Sequence, residues 1–329
     1  MTAPNPVPGT LPNTPIAPGS LVTVIGGSGF VGRYVVQQLA ERGFRLRVVM
    51  RNPDTAAFLK PLGDLGQIEL QRGNIQSDSG MARAFDGAAA GVNLVGILAE
   101  SGGQRFAAVQ ADGAGRAARA AAAAGCSAFV QVSAIGADPA SPAAYARTKA
   151  AGEAAVLAAF PTAVILRPSI VFGPEDQFFN RFAAMARLAP VMPVIAGKTQ
   201  FQPVYVGDVA AAVVASLTSA TAAGRTFELG GPRRYAFRDL LAMIVAGTRQ
   251  SRPLVEVPDA IARLMGMAGD WLPFLPMTSD QFAMLQHDNV ADPALPGLVE
   301  LGITPTPVEA IVPAMLERYR PSGRFNRNG

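Results

Sequence analysis

Residues 21–32 read LVTVIGGSGFVG, and this stretch decides the fold. A short apolar strand at 21–25 runs into a glycine-rich loop, and apolar residues then recur at the i, i+4 spacing of a helix that Gly43 ends. A glycine-rich loop between a strand and a helix is the setting in which a pyrophosphate binds. The stretch therefore predicts a dinucleotide-binding βαβ unit rather than a glycine-rich turn without a ligand.

Each glycine of this loop has its own expected role. Gly26 permits the tight turn, Gly29 lets the backbone approach a pyrophosphate, and Gly32 lets helix and strand pack closely. The helix N-terminus adds free N–H groups and positive potential, which favour an anion. The residues expected to contact the cofactor here are Gly26, Ser28, Gly29, Phe30, Val31 and Gly32.

Strand and helix patterns alternate over the first half of the chain. This alternation predicts an α/β fold, a Rossmann-type doubly wound parallel sheet with helices on both faces. Beyond the first strand, strands are expected at 45–50, 67–71, 92–95, 128–133 and 162–166, and long helices at 105–124 and 143–159.

Proline and glycine become frequent after about residue 170, where the alternation breaks down. We expect a smaller C-terminal α+β domain over the end of the sheet, with residues 204–219 returning to the Rossmann part. The expected division is a disordered proline-rich tail at 1–19, a dinucleotide-binding Rossmann domain at 20–170, a smaller substrate or partner domain at 171–319, and a frayed basic tail at 320–329.

Composition excludes several classes of function. The 329 residues include one His and one Cys, so a Cys/His metal site is excluded, and any His-dependent nucleophile would have to use His287. The net charge of +4 is spread along the chain, so no nucleic-acid surface is expected. No apolar run reaches the ~18 residues of a spanning helix, and the N-terminus lacks the features of a secretory signal or a mitochondrial presequence.

The second predicted strand ends in Val49-Met50-Arg51-Asn52, at the position that reads the adenosine ribose. An acidic residue there binds a 2′-hydroxyl group, whereas an arginine accommodates a 2′-phosphate. Because the acid is absent and Arg51 takes its place, the sequence favours NADPH over NADH as the cofactor.

Tyr145 and Lys149 form a second, independent pattern. Their i, i+4 spacing on a predicted helix places both side chains on one face, where the ammonium would lower the pKa of the phenol and prepare it for proton transfer. Ser133 ends the fifth predicted strand, at the sheet edge where ligands bind. The chain has only five Tyr and three Lys, so chance rarely gives such a pair, although an ordinary surface pair is the alternative.

Taken together, these residues resemble the extended short-chain dehydrogenase/reductases, the group of the nucleotide-sugar epimerases. The resemblance covers about residues 20–316. The motifs that carry it are Gly26-x-x-Gly29-x-x-Gly32, Ser133, Tyr145-x-x-x-Lys149 and LRPSIVFGP at 166–174.

This resemblance implies roles for individual residues. Tyr145 would be the acid/base, with Ser133 beside it, and Lys149 would also hold the nicotinamide ribose. Pro168 would lie by the nicotinamide. The remaining cofactor contacts that the resemblance implies are Asn74, Ile75, Gly96 and Ile170.

A narrower resemblance is to the nucleotide-binding accessory subunits of respiratory complex I. It implies tightly held NADPH in a structural role, with partner subunits in the hydrophilic arm near the membrane. An arginine-rich, lysine-poor chain without a presequence is similar to the α-proteobacterial form, which implies a peripheral position on the cytoplasmic face of the inner membrane. The segments that carry it are NLVG at 93–96, YARTKAAGE at 145–153, QPVYVGDVA at 202–210 and LGITPTP at 301–307.

Two observations bear on turnover and point in opposite directions. Asn74 stands where active epimerases usually have an Asp near the adenine. Ser133, Tyr145 and Lys149 nevertheless keep catalysis chemically available. The alternative hypothesis is therefore a soluble cytoplasmic NADP-dependent reductase or nucleotide-sugar epimerase-like enzyme that uses these three residues. A third hypothesis is a free-standing binding protein that senses the redox state of the cofactor.

Residues 257–285 are rich in Met, Leu and Phe and contain the one Trp. Ile261, Leu264, Met265 and Ala268 fall at helical spacing, and Trp271 and Phe274 follow. This stripe either covers the core of its own domain or forms an apolar surface for a partner subunit or the membrane surface.

Overall fold

Seven parallel strands form the central sheet of the computed structural model, which describes residues 15–270 and 277–321. Six shorter strands pair two by two outside it. The strands are β1 Leu21–Ile25, β2 Arg45–Met50, β3 Ile68–Arg72, β4 Ala90–Asn93, β5 Ala128–Val132, β6 Val164–Pro168, β7 Val171–Phe172, β8 Met192–Val194, β9 Gln200–Phe201, β10 Val204–Tyr205, β11 Thr226–Leu229, β12 Tyr235–Ala236 and β13 Leu254–Glu256.

The order of the sheet is β11-β6-β5-β4-β1-β2-β3, and all neighbours are parallel. The chain reverses its direction of travel across the sheet between β1 and β4, and such a switch point opens a crevice at the carboxyl ends of the strands. The predicted Rossmann-type fold class is therefore confirmed. Strand β11 forms one edge of this sheet by pairing with β6, although its residues come well after residue 170 in the chain.

Ten α-helices surround these strands in the described residues, together with short 3-10 segments. The helix predicted at 105–124 opens with wide π-type turns at Ala107–Asp112 before it becomes regular. The α-helices are α1 Phe30–Glu41, α2 Asp78–Phe85, α3 Gly113–Ala123, α4 Ala144–Ala159, α5 Phe179–Leu188, α6 Val206–Thr218, α7 Phe237–Gly247, α8 Asp259–Gly269, α9 Ser279–Leu285 and α10 Val308–Leu316.

Each face of the sheet has its own apolar core. Helices α1 and α6 cover one face, where Val35 and Val213 are fully buried. Helices α2, α3 and α4 cover the other, where Val156 is fully buried. Along β1, Val24 belongs to the first core and Ile25 to the second, as the alternation of side chains along a strand requires. Burial on both faces explains why these strands are continuously apolar.

The C-terminal elements bury a third core of their own. Helices α5, α7 and α10 meet around Phe179, Phe237 and Val312, which are all buried. Phe178 lies among these rings, with its centroid 5.2 Å from that of Phe179 and 6.0 Å from that of Phe237. This body sits against the sheet through β7 and β10, which pair with each other beside α6.

Helix α8 turns most of its apolar side chains outward. Ile261, Leu264 and Met267 are 53%, 62% and 48% exposed, whereas the helix packs inward through Ala262 and Gly266. Of the two interpretations of this stripe, the structure supports the exposed apolar surface. The Trp271 and Phe274 of the same prediction lie outside the described residues. Within residues 15–270 and 277–321, no helix is both long and apolar enough to cross a bilayer.

Candidate functional site

The loop between β1 and α1 is built around glycine. Gly26 has φ +84°, a left-handed conformation that favours glycine, and its carbonyl accepts a hydrogen bond from the Gly29 N–H at 3.1 Å. A Cβ on Gly32 would overlap with the carbonyl oxygen of Gly26. The turn and the close packing of α1 on this loop therefore both depend on the absence of side chains.

The N-terminus of α1 is open to an anion. Its N-cap residue is Gly29, no side chain caps the first turn, and that turn contains no acidic residue. The first N–H groups of a helix have no partners within the helix, and the helix dipole makes this end positive. Ser28, Phe30 and Val31 are half-buried around it. Backbone geometry alone thus provides a site for a pyrophosphate.

Arg51 lies in a cleft of about 340 Å³ at the end of β2, together with Ser28, Met50, Asn52 and Thr55. None of these lining residues is acidic. The side chain of Asn52 accepts the N–H of Asp54 at 3.3 Å and so starts the following 3-10 segment, Pro53–Leu62. The cleft is therefore positive and can hold an anionic group.

Arg33, which no motif in the sequence indicated, adds a second cation near this loop. Its guanidinium lies 5.0 Å from the centroid of the Phe58 ring and 3.6 Å from a carboxylate oxygen of Glu175. Its buried Nε finds no hydrogen-bond partner among the described residues. The signal in the sequence was its position directly after Gly32.

Asn74 and Ile75 follow β3 at the same edge of the sheet. The side chain of Asn74 accepts the N–H of Gln76 at 3.1 Å, and Asn74 is exposed. Ile75 is buried, and a Cβ on Gly113 would stand 3.1 Å from it. The two residues thus border the sheet edge with one polar and one apolar side chain.

The end of β4 approaches α4 closely. Asn93 is fully buried, and its side-chain amide donates to Gln131 at 2.8 Å while its side-chain oxygen Oδ1 accepts the N–H of Val95 at 3.1 Å. A Cβ on Gly96 would stand 3.1 Å from the ammonium nitrogen of Lys149. The structure therefore brings Gly96 and Lys149 together.

Tyr145 and Lys149 share one face of α4, as their spacing predicts. The Lys149 ammonium is 5.8 Å from the centroid of the Tyr145 ring and 3.5 Å from the carbonyl oxygen of Val132. Phe106 meets the Tyr145 ring edge to face at 6.0 Å. Ser133, one residue beyond Val132, is 4% exposed, and within residues 15–270 and 277–321 its hydroxyl has no hydrogen-bond partner.

Burial shifts the pKa of both groups of the Tyr145–Lys149 pair. Burial, with the charge of Asp280 as a smaller cause, raises the pKa of Tyr145 to about 12. Burial lowers the pKa of Lys149 to about 8, and nearby Glu153 opposes that shift. The expectation that the ammonium lowers the pKa of the phenol is therefore wrong for this structure, because burial outweighs it. Both pKa values lie above neutral pH, which favours a neutral phenol beside an ammonium.

Asp280 completes the first turn of α4, and no sequence motif pointed to it. Its carboxylate accepts the backbone N–H of Ala144 at 2.5 Å and that of Tyr145 at 3.2 Å. Ala143 is the N-cap residue of α4, and its methyl side chain cannot accept a hydrogen bond from the helix. A residue 135 positions away thus caps the helix that carries Tyr145.

Pro168 and Ile170 lie where the loops after β5 and β6 meet. The Ile135 N–H donates to the Pro168 carbonyl at 3.0 Å, and the Val204 N–H donates to that of Ile170 at 2.9 Å. Between them, the Ser169 hydroxyl donates to the side chain of Asn289 at 2.7 Å. These bonds fix the far end of the crevice.

A second cavity, of about 500 Å³, lies between α8, α9 and the loop before α4. Met267 and Phe282 give it apolar walls, and Arg263, His287 and Pro142 also line it. It thus lies next to the first turn of the helix that carries Tyr145.

The residues at the crevice fit a dinucleotide. The open helix end and its glycine loop suit the pyrophosphate, the positive cleft at Arg51 suits a phosphate on the adenosine ribose, and the unpartnered Ser133 hydroxyl can bond a polar group at the other end. Among residues 15–270 and 277–321, no group of three or more His, Cys, Asp or Glu could hold a metal ion.

Comparison with known proteins gives relatives along most of the chain. The family described as NAD dependent epimerase/dehydratase matches residues 22–230. Subunit 9 of the mitochondrial NADH dehydrogenase [ubiquinone] 1 alpha subcomplex is 34% identical in Arabidopsis thaliana, over 93% of this chain and 79% of that one. The Mus musculus subunit of the same name is 33% identical, over 92% and 81%. A ceramide reductase of Caulobacter vibrioides is 35% identical over 59% of this chain and 60% of that one.

Solved structures share the fold. The NADPH-dependent quinone oxidoreductase QOR2 of Escherichia coli, complexed with NADPH, superposes with a TM-score of 0.71 over 89% of this chain and 99% of that one. Its sequence is 21% identical.

Proposed function

The chain belongs to the NAD-dependent epimerase/dehydratase family, and from this premise we propose that it is an NADPH-binding accessory subunit of respiratory complex I, NADH:ubiquinone oxidoreductase, with little or no turnover of its own. The observation that carries the proposal is the extent of similarity to the plant and mouse subunits. It covers 93% and 92% of this chain, so it includes the C-terminal body as well as the nucleotide half.

The proposed cofactor position uses the groups along the crevice. The pyrophosphate lies on the first turn of α1 above Gly26 and Gly29, where N–H groups are free of capping side chains. Tyr145 and Lys149 hold the nicotinamide ribose, with Ser133 beside them. The remaining residues of the proposed cofactor site are Ser28, Phe30, Val31, Gly32, Asn74, Ile75, Gly96, Pro168 and Ile170.

We favour NADPH over NADH because of the charge of the cleft at the end of β2. Arg51 is exposed there, and the residues that line the cleft include no carboxylate that could bind the 2′-hydroxyl group of the ribose. A phosphate on that ribose would therefore gain a cation from Arg51, and the carboxylate of Asp54, two residues after Asn52, lies 3.8 Å from the guanidinium of Arg72.

The exposed face of α8 is the proposed docking surface, defined by Ile261, Leu264 and Met267. Contiguous exposed apolar side chains on a soluble fold mark interaction sites. The described part of 257–285 has one arginine against three aspartates, which disfavours an anionic bilayer and favours partner subunits of the hydrophilic arm. We place the assembly at the cytoplasmic face of a bacterial inner membrane, as a peripheral component.

Retention of Ser133, Tyr145 and Lys149 supports an alternative, an NADP-dependent reductase or epimerase-like enzyme. The cavity beside α4, with apolar walls and Arg263, would give such an enzyme room for an apolar substrate with an anionic group. The reductase relative from Caulobacter favours this alternative, although the similarity covers only 59% of this chain.

Purification from native membranes separates the two hypotheses. A tagged chain, solubilised in mild detergent, should migrate with NADH:ubiquinone oxidoreductase activity on a native gel and release NADPH on denaturation. Leu264→Glu should detach it from the assembly while the nucleotide stays bound, because this change affects only the exposed face of α8. Leu188→Glu, at an apolar side chain that is also exposed but lies on α5, is the matched control.

The accessory-subunit proposal fails if the chain stays soluble and catalyses an NADPH-linked reaction that Tyr145→Phe abolishes. Release of NADH instead of NADPH would overturn the cofactor assignment and leave the docking proposal standing.

A further inference from the structure

The first turn of α4 donates to a carboxylate that comes from α9. Both oxygens of Asp280 are engaged, one by the Ala144 N–H and the other by the Tyr145 N–H. Tyr145 therefore sits in a helix turn whose first N–H groups donate to a carboxylate from another helix.

This arrangement changes the potential at the Tyr145 ring. The N-terminus of a helix is positive, and a tyrosine in the first turn would have its phenolate stabilised there. Asp280 neutralises that positive end. Among the described residues, Lys149 on α4 and Phe106 also contact this ring, and the Lys149 ammonium lies 3.5 Å from the carbonyl oxygen of Val132.

The carboxylate is held in place by its own surroundings. Helix α9 begins with a capping box, in which Thr278 and Gln281 each bond the other's backbone N–H. Asp270, at the end of α8, accepts the N–H of Ser279 at 3.0 Å. Asp280 is thus fixed at the start of a capped helix and bridges α9 to α4.

We propose that Asp280 is a positioning residue that holds the first turn of α4, and that its charge adds to burial in disfavouring the phenolate of Tyr145, which donates a hydrogen bond to a bound ribose instead of acting as an acid/base group. The inference rests on the proposed function in assigning a ribose to Tyr145. The raised pKa of Tyr145, to which the charge of Asp280 contributes after burial, agrees with it.

The test is a titration of Tyr145 in the full chain by NMR, with tyrosine labelled with carbon-13 at Cζ. The chain has five tyrosines, and the resonance of Tyr145 is the one absent in Tyr145→Phe. In the unaltered protein this resonance should keep its phenol shift beyond the ordinary tyrosine pKa of about 10. Movement to the phenolate shift below that pH would overturn the proposal without any variant.

Asp280→Asn keeps a hydrogen-bond acceptor and removes the charge. It should lower the pKa of Tyr145 by about 1, the effect of one nearby charge. Asp280→Ser introduces a neutral side chain that also caps helices, and it should lower this pKa in the same way. The test needs only one of the two variants to fold. A merely structural loss would expose the Tyr145 ring and also lower this pKa, so the comparison uses a variant in which the backbone amides of α4 exchange as slowly as in the unaltered protein.

Asp259→Asn is the matched control, since it removes an exposed carboxylate from the first turn of α8 and leaves the bonds of Asp280 in place. It should leave the titration of Tyr145 unchanged. An unchanged pKa in the Asp280 variants, or an equal fall in Asp259→Asn, contradicts the proposal. Failure of the unaltered chain to co-purify with complex I would refute the proposed function. The titration of Tyr145 is independent of that experiment.

Discussion

The ammonium of Lys149 lies where a side chain on residue 96 would begin. A Cβ on Gly96 would stand 3.1 Å from the Lys149 Nζ, which is closer than most carbon contacts in proteins. Lys149 is 6% exposed, and its ammonium lies 3.5 Å from the carbonyl oxygen of Val132. The backbone at the end of β4 and the helix α4 therefore fix this ammonium between them.

We expect Gly96→Ala to weaken dinucleotide binding by about tenfold, or about 1.4 kcal/mol, because the added methyl displaces the Lys149 ammonium. Isothermal titration with NADPH measures the change. Gly103→Ala is the control, since a Cβ there meets no atom within 4 Å. Equal affinities for Gly96→Ala and the unaltered protein would show that the position of this ammonium does not matter for binding.

Dinucleotide affinity should fall as the pH rises through about 8, the lowered pKa of Lys149. The anionic ligand favours the ammonium form, so binding raises the pKa of Lys149. Above about pH 8 the free protein must take up a proton on Lys149 to bind, and binding is therefore weaker there. Lys149→Met should bind more weakly and lose this pH dependence. Lys60→Met, at an exposed lysine, should keep it. A flat pH profile for the unaltered protein would contradict a role for the Lys149 ammonium.

Arg51→Ala should reduce NADPH affinity by about ten- to a hundredfold, since a charged hydrogen bond to phosphate contributes about 1.5–3 kcal/mol. NADH affinity should stay nearly constant, and the NADPH effect should shrink at high salt. Arg45→Ala, at the opposite end of β2, is the control. Equal losses for both nucleotides would mean that Arg51 does not read the ribose phosphate.

Arg167 neutralises two buried carboxylates, and its removal should destabilise the fold. Its guanidinium donates to both oxygens of Glu153, at 2.9 and 2.6 Å, and lies 3.4 Å from Glu228. Arg167→Met leaves both charges unpaired, so we expect a loss of about 3–5 kcal/mol in the free energy of unfolding. Urea denaturation measures it.

The control for Arg167→Met is Arg238→Met, which breaks an exposed ion pair with Glu256. An exposed pair contributes about 1 kcal/mol or less. Similar urea midpoints for the two variants would show that the charges at Glu153 and Glu228 are relieved in another way.

The strongly patterned elements of the nucleotide half could be predicted from the sequence. Strands β1 and β2 begin and end at the predicted residues, because a loop or charged residue bounds each apolar run. Strand β4 lies two residues earlier than predicted, since Ala90 and Gly91 are small but fully buried and do not resemble strand residues. Buried strands tolerate such residues when a helix packs closely over them.

The missed contacts at the site come from distant parts of the chain. Spacing along α4 placed Tyr145 and Lys149 on one face, but it could not show that Asp280 caps their helix, because no local pattern links residues 135 positions apart. The same limit applied to the protonation of Tyr145. Its pKa depends on burial, which only the packed structure shows.

The return of the chain to the sheet has a consequence for its synthesis. Helix α6, which covers α1, and the edge strand β11 come from residues 206–229, long after the nucleotide loop has left the ribosome. Until then α1 lacks its neighbour and the outer edge of β6 is open, so the growing chain exposes apolar surface and an unpaired strand. A cofactor should therefore bind only after residue 229 has left the ribosome. A truncated chain that ends before residue 206 should be bound by chaperones instead of forming a nucleotide-binding half.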